Sequence, residues 1–92
     1  MEQKHVEVYS ETSNYGVVRM PGRSFPGSVI QGDSLAILCN LSRSIHRRAV
    51  QVGDSELVDD AAELLELLED RQRHYEQVLA ANNIGLPYTK QV

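Results

Sequence analysis

The spacing of apolar positions changes once along this chain, near residue 30, from a period of two to a period close to 3.6. His5-Val6-Glu7-Val8-Tyr9 alternates, which sets Val6 and Val8 on one face of a half-buried strand. A polar cluster over residues 10–16 follows, and Gly16-Val17-Val18-Arg19-Met20 resumes β-branched content, so the two runs predict an antiparallel hairpin. Pro21-Gly22 and Pro26-Gly27 then punctuate the chain as turns, proline presetting φ and glycine permitting positive φ, and Ser28 to Gln31 is left as a short third strand.

Beyond Gly32 every long apolar pattern is helical. Leu35, Leu38, Leu41, Ile45, Ala49 and Val52 share one stripe, with Ala36, Asn40, Arg43 and Arg47 opposite, predicting a helix from about Leu35 to Val50. Gly53-Asp54-Ser55 opens a second, whose stripe of Leu57, Val58, Ala61, Leu64, Leu65 and Leu68 continues through Tyr75 and Leu79. It is expected to stop near Asn82-Asn83, with Gly85 as its C-terminal cap. At 1.5 Å per residue these helices span roughly 24 Å and roughly 40 Å, so the second outruns the first. The expectation is an α+β fold: a small antiparallel three-stranded β-sheet followed by an α-helical hairpin with a long second helix. One domain is expected over residues 1–92, with the sheet over 5–31, the hairpin over 34–84 and a loose tail over 85–92.

Charge adds an asymmetry. The net charge of −4 combines residues 1–53, with six Lys/Arg against four Asp/Glu, and residues 54–92, with three against nine. Only Arg43, His46, Arg47 and Arg48 resemble a basic patch, so direct nucleic-acid binding is not expected. No apolar run approaches the roughly 18 residues a membrane helix needs, and the single cysteine, Cys39, has no partner for an internal disulfide. These point to a cytoplasmic protein without a membrane segment.

Candidate chemistry is sparse. Gly32-Asp33-Ser34-Leu35 spells the nucleophile motif of a large hydrolase family, but its companion Asp-x-x-His is missing, since Asp70 to His74 has one residue too many. Gly-Asp-Ser recurs at Gly53-Asp54-Ser55, and two helices opening on one tripeptide is what N-capping predicts. His5, His46, His74 and Cys39 lack the spacing that aims two ligands at one ion, so neither a metal nor another cofactor is expected, and no catalytic residue is assigned. Cys39 lies about 120° from the centre of the first helix's stripe and reads as a small, half-buried apolar residue.

Two patterns point outward. Glu56, Asp59, Glu63, Glu66 and Asp70, at steps of three and four, form one acidic ridge on the second helix. Each neighbouring pair repels by about 0.2–0.5 kcal/mol, a cost eased if Arg43 and Arg47 of the first helix lie near. With Arg23 and Phe25 of the Pro21–Gly27 loop, this ridge is the expected contact surface for a protein partner of basic character. Leu67, His74 and Val78 follow one line of the second helix, and with Tyr75 and Leu79 they are the expected interface of a homodimer joined along its distal half.

The junction Phe25-Pro26-Gly27-Ser28-Val29-Ile30-Gln31-Gly32-Asp33-Ser34-Leu35 resembles that of HicB-like antitoxins, whose third strand reads Pro-Gly-x-x-x-Gln-Gly-Asp-Thr-Leu before the first helix. The resemblance covers roughly residues 5–50; Ala36 and Ile37 stand where that family has two glutamates, and the Pro21-Gly22-Arg23 turn is an addition. The whole chain is also similar to small uncharacterised bacterial proteins with Val-Glu-Val-Tyr, Pro-Gly-Arg-x-Phe-Pro-Gly and Gln-Gly-Asp-Ser-Leu. The resemblance implies a compact domain that covers a small toxin. The leading expectation is a non-enzymatic immunity protein or antitoxin acting by occlusion. Its rivals are a homodimeric structural or adaptor protein without a toxin, and an enzyme using Ser34.

Overall fold

A computed structural model describes residues 1–12 and 14–90; Ser13 of the polar turn cluster and Gln91 and Val92 of the tail lie outside the described residues. The order of elements is β1 (Glu7–Ser10), β2 (Val17–Arg19), β3 (Gly27–Ser28), α1 (Gly32–Val52) and α2 (Ser55–Ala81). The α+β expectation holds: three antiparallel strands precede two packed helices of 21 and 27 residues. Backbone contacts group the chain into two units, residues 1–31 and residues 32–92.

In the first unit β2 is the central strand. Glu7 opposes Arg19 and Val8 opposes Val18, while Ser10 opposes Val17, so the register shifts between Val8 and Ser10. The Glu7 and Arg19 side chains form a cross-strand ion pair, and the Tyr9 hydroxyl donates to Glu7 Oε2 at 2.7 Å. Those two bonds hold the Glu7 carboxyl below its ordinary range. Pro21-Gly22 makes the expected turn, closed by the Arg23 N–H donating to the Met20 carbonyl at 3.1 Å, with Gly22 at φ 78°. At Pro26-Gly27 the expectation of a separate turn fails in part, because Gly27 is already paired with Val18, and β3 is two residues long rather than running to Gln31.

Among the described residues the buried apolar side chains, Leu35, Ala36, Cys39, Ala49 and Ala61, all belong to the second unit. This corrects the predicted face of α1. Ala36 and Cys39 are buried, whereas Leu38, Leu41, Ile45 and Val52 of the predicted stripe are exposed. Leucines dominate a hydrophobic pattern, but close approach of two helix backbones favours small side chains, and Ala36, Cys39, Ser42 and Ala49 supply them at steps of three, three and seven. On α2 the residues turned inward are Val58, Ala61, Leu65, Leu68, Gln72, Tyr75 and Leu79, with Leu57 and Leu64 displaced to the exposed side.

Helix ends show why one tripeptide serves two purposes. Asp54 is the N-cap of α2 and accepts from the N–H groups of Glu56 and Leu57 at 3.0 and 3.2 Å. Gly53 before it, at φ 80°, ends α1, its N–H donating to the Ala49 carbonyl at 3.1 Å. At Gly32-Asp33-Ser34 the helix has already begun at Gly32, so Ser34 stands within the first turn and is not the cap. Gly32 is there for space: a Cβ on it would overlap the ring of Tyr75. The end of α2 differs from expectation too. Asn83, at φ 57°, takes the left-handed position, with Ile84 N–H donating to the Leu79 carbonyl at 2.9 Å, so Gly85 is not the cap.

Candidate functional site

The acidic ridge forms as the spacing requires. Glu56, Asp59, Glu63, Glu66 and Asp70 are all exposed on α2 and centre about 170° round the helix from the side that meets α1. Their expected relief by α1 does not occur. Arg43 turns instead to one flank of the hairpin, where its Nε and Nη2 donate to Glu69 Oε2 at 3.2 and 3.1 Å and Nη2 also donates to Gln72 Oε1 at 3.1 Å. Arg47 makes no ion pair among the described residues. Within the ridge only Asp70 is compensated, by Arg73 one turn on, so Glu56, Asp59, Glu63 and Glu66 have no ion-pair partner among the described residues.

In the sheet unit Phe25 is 83% exposed. It lines a shallow concavity of about 520 Å³ together with Arg23, Met20, Gly22, Ser24 and Gly27, so the two predicted loop residues do share one surface. Of the predicted dimer residues, Leu67, His74 and Val78 are exposed along one line of α2, as their spacing implies. Tyr75 and Leu79 do not join them. Both are turned toward the inside of the hairpin, Tyr75 against Gly32, because α1 begins early enough to reach them.

A polar groove of about 250 Å³ was not foreseen. It is lined by Ala36, Asn40 and Arg43 of α1, by Glu69, Gln72, Arg73 and Glu76 of α2, and by residues 88–90. The expected loose tail turns back here: the Tyr88 hydroxyl donates to Glu76 Oε2 at 2.9 Å and Lys90 Nζ lies 3.8 Å from Glu76 Oε1. Burial, reinforced by that hydrogen bond, raises the Tyr88 hydroxyl to about 12. The aperiodic stretch after Gly85 hid this contact; a lone tyrosine after Pro87 was its one signal.

Cys39 is fully buried at the helix interface rather than half-buried, and burial pushes its thiol up, away from thiolate chemistry. Ser34 has its N–H bonded to Asp33 Oδ1 at 2.9 Å. No three His, Cys, Asp or Glu side chains among the described residues converge to hold a metal ion, and no helix among them is long and apolar enough to cross a membrane.

Residues 1–88 match the model of a family described as a family of unknown function, DUF6959. No curated protein and no solved structure matches the chain.

Proposed function

The chain belongs to this family of unknown function, and from its surface we propose that it is a non-enzymatic binding protein that neutralises a basic protein partner by occlusion, in the manner of an antitoxin or immunity protein. The observation that carries this is the uncompensated ridge. Over about 21 Å of helix, four of five carboxylates have no cation beside them among the described residues, while Arg43, the arginine expected to relieve them, is committed to Glu69. Such an arrangement costs stability within the chain and is offset when a basic surface supplies the missing charge. The local resemblance of residues 25–35 to the HicB-like junction supports the same reading, and the exposed Arg23 and Phe25 add a second contact area with an aromatic anchor.

The test compares the parent with a Glu63→Lys, Glu66→Lys variant. Immobilised parent protein should retain a basic protein from its native cell at low ionic strength and release it progressively as salt rises, and the variant should retain less of it at every salt. Equal retention by both proteins, with equal salt dependence, would rule out the ridge as the docking surface.

A further inference from the structure

The exposed side of α2 carries a second pattern. Leu57, Asp60, Leu64, Leu67, Arg71, His74 and Val78 follow one another at alternating steps of three and four, which is the a/d seam of a coiled coil sustained over three heptads. All seven are exposed, so α1 does not fill this seam. It lies on the flank of the hairpin opposite the Arg43–Glu69 groove, and the exposed Leu38, Leu41 and Ile45 of α1 project to that same flank, since the groove marks the other flank on both helices.

The seam reads the same from either end. About its midpoint between Leu64 and Leu67, Leu64 mirrors Leu67, Asp60 mirrors Arg71, and Leu57 mirrors His74. From this we infer that two copies of the chain associate by antiparallel pairing of α2 about a two-fold axis, with Leu64 of one against Leu67 of the partner subunit. A two-fold interface requires that residue i meet j and j meet i, and this seam satisfies it with opposite charges: each Asp60 meets Arg71 of the partner subunit. Neither residue makes an ion pair with another of the described residues, and although Arg71 Nη1 donates to the Leu67 carbonyl at 3.0 Å, the charge of each is left without an ionic partner. Parallel pairing would instead stack Asp60 on its copy and Arg71 on its copy, which selects against that orientation.

The area is sufficient. Seven half-exposed aliphatic side chains on this flank, three from α1 and four from α2, offer on the order of 600 Å² per copy, approaching the ~800 Å² per partner of a standard interface. On the outer edge Glu63 approaches Asp70 of the partner subunit, and Arg73 beside each Asp70 reduces that repulsion. The acidic ridge is centred about 90° round α2 from the seam, so association leaves Glu56, Asp59 and Glu66 open.

The experiment uses the full chain and two exposed charge reversals. Sedimentation equilibrium from micromolar to submillimolar concentration should show the 10.3 kDa chain passing to twice its mass. Asp60→Arg alone and Arg71→Asp alone should each weaken association by at least about tenfold, because each sets like charges together across the axis. Mixed in equal amounts the two variants should recover association as a heterodimer, since their charges are then complementary. Helical circular dichroism equal to the parent's shows that each variant is folded. A parent that stays monomeric, a single reversal that associates as tightly as the parent, or a mixture of folded variants that recovers nothing would each overturn the inference. None of these measurements involves a basic partner, so their failure leaves the ridge reading standing.

Discussion

Replacing Gly32 by alanine tests whether the hairpin seam is set by close approach. Judged on helix propensity alone the change should help, because alanine in a helix is favoured over glycine by roughly 0.5–1 kcal/mol. Nor does the backbone forbid it: of the glycines, Gly22 and Gly53 have positive φ, and Gly32 does not. The obstacle is Tyr75, whose ring occupies the space the new methyl would need, with Oη, Cζ and Cε2 all inside contact distance. The ring must swing aside as a unit, giving up its packing over the start of α1. Overpacking of this kind costs about 1–3 kcal/mol, so against the propensity gain Gly32→Ala should lower stability by about 1–2 kcal/mol. For a chain of this length, with total stability of the order of 5–10 kcal/mol, such a loss is readily measured. Urea unfolding followed by helical circular dichroism, at unchanged m, gives the number. Repeating the change in a Tyr75→Ala background isolates the cause: with the ring gone, Gly32→Ala should be neutral or stabilising, a coupling of about 1–2 kcal/mol between the two sites. A Gly32→Ala protein that is more stable than the parent in both backgrounds would refute the reasoning.

Two further outcomes follow from the same unit. Ser42 is buried with its hydroxyl unpaired among the described residues, so Ser42→Ala should raise the urea midpoint by the equivalent of about 1 kcal/mol, and a loss of stability would mean that the hydroxyl has a partner. Tyr88, raised to about 12 from an ordinary 10, is held in its neutral form by the fold. Its contribution to stability is therefore complete below pH 10 and lost as pH rises toward about 12, and absorbance at 295 nm should show a late phenolate step that Tyr88→Phe removes.

The sequence by itself determined the class of fold and the order of its elements. Alternation around Val8, the Pro21-Gly22 turn and the helical spacing after Gly32 are local signals, each encoded in a few neighbouring residues, and the three strands and two helices follow them. The acidic ridge was legible for the same reason, since steps of three and four along one helix need no tertiary information. Only the tertiary structure decided which face of each helix turns inward. Leu38, Leu41 and Ile45 carry the stronger hydrophobic signal, yet Ala36, Cys39 and Ala49 form the seam, because backbone proximity there is set by side-chain size and by the pairing of Arg43 with Glu69. Gly32 shows the same division: its partner Tyr75 lies more than forty residues away, and no window of sequence around the helix start contains it. Where a contact joins positions so far apart, its existence depends on how two helices meet, and periodicity within either one leaves that open.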